Sequence, residues 1–292
     1  MSRNLLTRII VAAVAIPIIL WISYTGGAWL FGMVTLFAAV GTCELLFGEG
    51  YRPQQLFFWL TLLTVGACLV ATSFDIPFQP ASDPNQYLEP PFYSTVAPIL
   101  ILFFVLTAMI SAVGKLPPGE LFSQHSRLLW GTAYLGFLYP FVYALGNDVR
   151  LKEAVYPSSN GDLLLFLFGV LWVGDTAAMG FGKWLGRHKL APGVSPNKTV
   201  EGFIGGLVGG AAIGVLMFFW KFHQVPFWHV LVIAVGCSLF GQLGDLVESM
   251  WKRSLGIKDS SAIIPGHGGV LDRFDSLLFA APFMYVYIFW IL

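Results

Sequence analysis

The sequence has few charged side chains and no excess of either sign. Lys, Arg, Asp and Glu make up only 11% of the 292 residues, and the 16 basic and 16 acidic side chains cancel to a formal net charge of zero. A soluble domain carries about 25% charged residues, so this chain could not cover a water-facing surface. Without a net positive charge no bulk attraction to nucleic acid is expected, and no nucleic-acid partner is predicted.

Cysteine is scarce as well, and several familiar catalytic motifs are missing. The three cysteines, Cys43, Cys68 and Cys237, lie in apolar runs. Their odd number and their spacing argue against a disulfide framework and against a metal site built from them. The P-loop pattern GxxxxGK[ST], the GxSxG nucleophile elbow and the HExxH zinc motif are absent from the sequence. Any chemistry must therefore come from other polar residues.

Apolar residues dominate what is there. They make up 57% of the sequence, the mean hydropathy is +0.74, and several runs approach the ~20 residues that cross a bilayer. Because lipid cannot satisfy open backbone groups, each span should be a helix. We therefore predict an all-α, polytopic integral membrane protein with about nine transmembrane helices, near residues 7–24, 28–47, 56–73, 93–113, 128–146, 163–181, 202–220, 228–251 and 276–292.

Lysine and arginine predict the orientation of these spans. With the N-terminus in the cytoplasm, thirteen of the 16 Lys and Arg residues fall in cytoplasmic segments and three fall on the other side, in line with the positive-inside rule. We divide the chain into N-terminal membrane helices, 1–150, which carry little besides apolar helix, and a C-terminal catalytic membrane region with cytoplasmic loops, 151–292. The expected location is the inner (plasma) membrane, with multiple passes and the active site facing the cytoplasm.

Two polar clusters precede the last two spans. Asp175 lies within the sixth span, where an acid costs about 2.5–3.5 kcal/mol unless it faces a partner or a wet cavity. It is either a metal or substrate contact or a helix-packing acid. In the segment 193–206, Ser195 is followed by proline and indicates a turn, Thr199 is a candidate helix cap, and a glycine series favours close helix packing. Lys198, beside free amides at a helix N-terminus, is typical of an anion site.

The richest cluster spans residues 244–275. Asp245, Glu248 and Lys252 are spaced i, i+3 and i+7, so they share one face at the end of the eighth helix. The run DRFD repeats the i, i+3 spacing of acids at the mouth of the ninth. Acids alone repel phosphate, but a Mg²⁺ ion between carboxylates and phosphates turns the repulsion into a bridge. The cluster therefore predicts metal-assisted chemistry on a phosphate substrate.

Glycines and cations surround these acids. Gly268 and Gly269 allow backbone conformations that turn successive amides toward one anion. Arg253, Lys258 and Arg273 add fixed positive charge, which neutralises phosphoryl oxygens in enzymes that transfer phosphoryl groups. His267 is a candidate general base, a candidate phosphate donor or a residue that caps the turn, and the sequence leaves these alternatives open.

Residues 249–275 resemble the signature of the phosphatidate cytidylyltransferases, also called CDP-diacylglycerol synthases. The matching positions are Ser249, Lys252, Arg253, Lys258, Asp259, Pro265, His267, Gly268, Gly269, Asp272, Arg273 and Asp275. The run SPNKTVEGFIGG and Asp175 are also similar to the family, so the resemblance covers roughly residues 170–292. Met179, Asn197 and Trp251 depart from the family pattern, and the change at 197 removes one cation that is common there.

The resemblance implies the reaction of CTP with phosphatidate to give CDP-diacylglycerol and diphosphate. It implies Mg²⁺ bound by Asp245 and Asp272, which a second, monovalent cation such as K⁺ can accompany. The partners are then CTP and phosphatidate, a membrane lipid. The predicted catalytic residues are Asp245, Asp272, Lys258, His267 and Arg273. The predicted substrate-binding residues are Ser195, Lys198, Lys252, Arg253, Gly268, Gly269, Asp175 and Asp275.

Two other functions fit parts of the pattern. A CTP-dependent polyprenol or dolichol kinase uses a related loop but would transfer the γ-phosphate to an alcohol. A polytopic ion-coupled transporter would use Asp175, Asp245 and Glu248 as an ion path, although such proteins place polar residues at the midplane in interrupted helices. The glycine faces also permit a homodimer without requiring one.

Overall fold

The computed structural model of the chain describes residues 3–76, 93–112, 118–155 and 161–292. Within these ranges the chain forms ten helices and one two-stranded hairpin. The helices are α1 (Arg3–Thr25), α2 (Gly27–Gly48), α3 (Leu56–Asp75), α4 (Tyr93–Ala112), α5 (Pro118–Asn147), α6 (Val149–Val155), α7 (Asp162–Leu185), α8 (Val200–Trp220), α9 (Phe227–Ser254) and α10 (Leu271–Ile291). The strands are β1 (Lys189–Ala191) and β2 (Ser195–Thr199), which pair in antiparallel fashion.

The apolar helices confirm a multi-pass membrane protein. In the described part of the chain, eight helices are long and apolar enough to cross a bilayer, and α1 adds the shorter apolar stretch Ile9–Thr25. The nine predicted spans therefore all correspond to helices, but two of these helices begin five or more residues before the predicted span. Helix α5 begins at Pro118 and α10 at Leu271, because their first turns are polar and a hydropathy pattern does not detect polar turns. Asp272 and Asp275 consequently lie within α10.

Glycines let α7, α8 and α9 approach closely, as predicted for the small-residue series. A Cβ added at Gly202 would lie 2.8 Å from the carbonyl oxygen of Ala178, and one added at Gly209 would lie 2.7 Å from the Cβ of Ala177. On the other face of α8, the hydroxyl of Ser238 donates to the carbonyl oxygen of Gly206 at 2.9 Å. Both glycine faces of α8 are thus covered by helices of the same chain.

Helix α5 lies at the centre of the molecule. It packs against α2, α3, α4 and α10, and its second half is almost entirely buried, with Tyr139 and Tyr143 among the largest fully buried side chains. One hydrophobic core contains residues from α2 through α10. The N-terminal helices therefore form part of the packing that positions the C-terminal region, rather than a layer separate from it.

The segment between α7 and α8 forms a hairpin where the sequence analysis predicted a loop with a turn at Ser195. Ser195 instead opens strand β2, pairing with Ala191. Glu201, in the first turn of α8, closes the base of the hairpin by accepting hydrogen bonds from the amides of Arg187 and His188. Thr199 caps α8 as predicted, with its hydroxyl oxygen accepting from the amide of Gly202 at 3.1 Å. The hairpin is therefore fixed to the start of α8.

Candidate active site

A cavity with charged side chains in its wall lies between α7, the hairpin, α8 and α9. Its volume is about 630 Å³, which is within the range of small-molecule sites. The charged residues in its wall are two acids and two lysines: Asp175, Asp245, Lys183 and Lys198. Asn197 and Gln242 add amide groups. This mixture of carboxylates, cations and neutral donors is suited to a polar, phosphate-bearing ligand.

Asp245 is the charged centre of this cavity. Its Oδ2 atom accepts from Nζ of Lys198 at 2.7 Å, with about a third of the Asp245 side chain exposed. Its Oδ1 atom accepts a longer hydrogen bond from Ser249. Asp175 faces the same space and interacts electrostatically with Asp245, Lys198 and Arg273. The structure therefore brings together Asp175, Lys198 and Asp245, which the sequence placed on three separate segments.

A second charged cluster lies further along the same face of α9. Lys252 donates from Nζ to Glu248 at 2.6 Å and to Asp272, on α10, at 2.7 Å. The three side chains are 10%, 0% and 4% exposed, so this is a buried network. The predicted shared face of Asp245, Glu248 and Lys252 is confirmed, and the contact with Asp272 joins it to the start of α10.

Asp272 is bound by groups of its own chain on both oxygens. Its Oδ1 atom accepts from Lys252, and its Oδ2 atom accepts from the amides of Ser260 and Gly269 and from the Ser260 hydroxyl, at 2.8 to 3.1 Å. A Cβ at Gly268, where φ is +84°, would lie 2.7 Å from this carboxylate. The glycine turn thus closes around Asp272, and a substrate-binding role for Gly268 and Gly269 stays a prediction.

Asp275 is the second predicted acid on α10, and it is also buried. It is 9% exposed, and its Oδ1 atom accepts from the amide of Ser276. Asp275 therefore interacts electrostatically with Asp245 in the cavity wall and with Glu248 and Lys252 of the buried network.

The remaining predicted residues lie around these two clusters. Lys258 and Arg273 are exposed, and His267 is half-buried with its ring 3.4 Å from the carbonyl oxygen of Pro265. Arg253 donates to the carbonyl oxygens of Val194, in the hairpin turn, and of Ile257. Ser195 is half-buried in β2 and is not among the residues that line the cavity. Direct substrate contacts from this group stay predictions.

Glu44 was missed from the sequence, because the N-terminal helices were described as carrying little besides apolar helix. Glu44 lies in α2 and is 2% exposed. Its carboxylate accepts hydrogen bonds from the hydroxyls of Ser260 and Ser261 and from the amides of Val270 and Leu271. An acid inside an apolar span was the available signal, because such a residue needs a partner in the fold.

Trp251, one of the departures from the family pattern, makes contacts that the sequence did not predict. Its indole nitrogen donates to Glu49 at 3.0 Å, and Glu49 pairs with Arg127 on α5 at 2.8 Å. The ring is 4% exposed and packs on Gly48. Trp251 therefore fixes the end of α9 to the end of α2.

Comparisons with known proteins identify the family. A family model described as Cytidylyltransferase family matches residues 6–291. The chain belongs to this family. A phosphatidate cytidylyltransferase of Staphylococcus haemolyticus (strain JCSC1435) is 34% identical over 284 residues, which is 97% of each chain. One of Staphylococcus epidermidis (strain ATCC 35984) is 32% identical with the same coverage. One of Staphylococcus saprophyticus is 43% identical over 163 residues, 56% of this chain and 58% of the relative.

The cytidylyltransferase match is wider than the sequence signature indicated. The signature and the upstream run pointed to residues 170–292, whereas the family model begins at residue 6. The family pattern therefore includes α2, the helix that contributes Glu44 to the turn around Asp272.

Proposed function

We propose that the chain is a phosphatidate cytidylyltransferase, which makes CDP-diacylglycerol and diphosphate from CTP and phosphatidate. The observation that carries this proposal is the charged cavity of about 630 Å³ among the apolar helices, in a chain of the cytidylyltransferase family. One substrate comes from water and the other from lipid, so the site must be polar and must also lie beside the membrane. A phosphatidate oxygen attacks the α-phosphorus of CTP, and the bond from that phosphorus to the β-phosphate oxygen breaks as diphosphate leaves.

The main obstacle to the reaction is electrostatic repulsion between CTP and phosphatidate, which are both negatively charged. Cations in and near the cavity can reduce this repulsion. Lys183 and Lys198 line the cavity. The charge of Arg273 interacts electrostatically with Asp175, which also lines it. These cations would neutralise phosphoryl oxygens and align the attacking and leaving groups. Because Lys198 pairs with Asp245 at 2.7 Å, its ammonium group is already positioned before CTP binds.

The carboxylates of the site fit a Mg²⁺ ion that is bound partly by the protein and partly by substrate phosphates. No group of three or more His, Cys, Asp or Glu side chains close enough to bind a metal exists within the described ranges. Mg²⁺ is usually bound by one or two carboxylates together with substrate phosphates, so Asp245 as the predicted ligand agrees with that habit. Asp272 would have to exchange contacts with Lys252 or Ser260 to take part. When bound, the ion supplies charge neutralisation at the phosphates; K⁺ remains a prediction.

The membrane placement follows from the same reaction. We propose the bacterial inner membrane, because the relatives are bacterial and the acyl chains of phosphatidate stay in the bilayer. The cavity would open to the cytoplasm, where CTP is made, in agreement with the distribution of Lys and Arg. A homodimer would need a surface other than the glycine faces of α8, since α7 and α9 cover them.

Diphosphate release by purified protein in detergent tests the proposal. Release should require both CTP and phosphatidate, and diacylglycerol should not replace phosphatidate, because it lacks the attacking phosphate oxygen. Release that is independent of phosphatidate would contradict the proposal. Ion-driven solute uptake into vesicles without nucleotide turnover would instead support the transporter.

A further inference from the structure

We propose that Glu44 is a positioning residue for the reaction. It holds the loop 255–270 and the start of α10 in the arrangement that fixes the position of the Asp272 carboxylate. The proposal rests on the proposed function, since it assigns a role within that site. Glu44 belongs to α2, and its partners on the loop and α10 lie 216 to 227 residues away in sequence. It does not line the cavity, so it acts through other residues rather than on the substrates.

The carboxylate of Glu44 accepts hydrogen bonds from this loop and from the first residue of α10. Oε1 accepts from the Ser261 hydroxyl at 2.6 Å and from the Val270 amide at 2.9 Å. Oε2 accepts from the Leu271 amide at 2.9 Å and from the Ser260 hydroxyl at 3.1 Å. Three of these donors bind Glu44 alone, and the single Ser260 hydroxyl proton is shared with Asp272. Together they fix the position and the rotation of the carboxylate, whose charge faces the positive end of α10.

Ser260 connects Glu44 directly to Asp272. The Ser260 hydroxyl lies 3.1 Å from a carboxylate oxygen of each acid, and its amide donates to Asp272 at 2.9 Å. The three successive amides at 269–271 bind the same two acids. The Gly269 amide donates to Asp272, and the amides of Val270 and Leu271 donate to Glu44. The backbone conformation of the turn before α10 is therefore fixed by two acids from distant parts of the chain.

The glycine at 269 fits this shape for a steric reason. A Cβ there would lie 2.6 and 2.7 Å from the two carboxylate oxygens of Glu44 and against the Ser260 hydroxyl. Real Cβ atoms do not approach that closely, so Glu44 needs a residue without a side chain at this position. The conformation of this turn therefore depends on both the acid in α2 and the glycine before α10.

Glu44→Gln tests the role with the smallest change in size. The amide replaces one acceptor by a donor that faces donors, so the contacts with Val270 and Leu271 cannot both survive. We expect kcat to fall about 10- to 100-fold, the usual effect of losing a group that orients a site residue. KM for CTP should stay within about 2-fold, since Glu44 does not contact the cavity. Thr42→Val, two residues earlier in the same helix, removes a buried hydroxyl that donates to the Ala38 carbonyl oxygen of α2, so it is the matched control and should keep kcat within about 2-fold.

Hydrogen exchange separates positioning from mere stability. In Glu44→Gln the amides of the segment 260–271 should exchange at least about 10-fold faster, while α8 and α9 stay unchanged. Wild-type kcat in Glu44→Gln overturns the proposal, and so does a loss of activity that only follows a loss of folded protein. If Glu44→Gln does not fold, Ser261→Ala removes a single donor and should lower kcat on the order of 3-fold; an unchanged kcat there also overturns it. Wild-type protein that makes no CDP-diacylglycerol contradicts the proposed function instead, and the exchange result is then read alone.

Discussion

Replacing Lys252 by methionine should destabilise the protein through two orphaned acids. The ammonium group of Lys252 is the shared partner of Glu248 and Asp272, at 2.6 and 2.7 Å, and the two carboxylates are 0% and 4% exposed. Removing one member of a buried ion pair costs about 3–5 kcal/mol, because the remaining charge is buried without a partner. Methionine keeps the length and apolar stem of lysine, so the loss of charge is the main change.

That cost predicts a lower unfolding temperature. In proteins of 150–250 residues each kcal/mol shifts Tm by about 2–4 °C, so a decrease of about 10 °C is expected for Lys252→Met. Thermal unfolding in detergent can be followed by the fluorescence of the 10 tryptophans. Lys189→Met, at an exposed position of β1, is the control and should leave Tm within about 2 °C.

A double variant gives the sharper test of the cause. Adding Glu248→Gln to Lys252→Met removes one of the two orphaned charges and should recover about half of the lost Tm, because Asp272 remains charged. Equal Tm values for Lys252→Met and Lys189→Met would refute the reasoning. A double variant less stable than Lys252→Met alone would show that charge burial is not the cause.

Three further predictions concern the cavity and the turn. Asp245→Asn should lower kcat/KM at least about 100-fold with little change in Tm, since its side chain is 35% exposed; near-wild-type turnover in a steady-state assay would remove Asp245 from the site. Gly269→Ala should cost about 1–3 kcal/mol in thermal unfolding through overpacking against Glu44, whereas Gly193→Ala, with nothing within 4 Å of the added Cβ, should be nearly neutral. EDTA should stop diphosphate release and Mg²⁺ should restore it, and full activity in EDTA contradicts the metal prediction.

The helices could be predicted from the sequence because the bilayer imposes a simple rule. An apolar run of about 20 residues must be a helix, and each predicted span corresponds to one. The ends were less accurate where the first turn is polar, as in α5 and α10. A hydropathy pattern detects only the apolar part of a helix. The first turns of α5 and α10 are polar but still helical, so the pattern does not include them.

The site could be predicted only where its residues are close in sequence. The spacing of Asp245, Glu248 and Lys252 gave their common face, because helix geometry alone decides it. The pairing of Lys198 with Asp245 and the contacts of Glu44 with α10 depend on tertiary packing between helices. Local spacing carries no information about such contacts.

CTP labelled at one phosphorus atom at a time tests the central claim most directly. Purified protein is incubated with phosphatidate, Mg²⁺ and CTP labelled at either the α- or the γ-phosphorus, and the lipid is extracted. The α-label should enter the lipid in an amount equal to the diphosphate released, and the γ-label should not enter it. Entry of γ-label into the lipid, with no α-label, would contradict the claim and indicate a kinase.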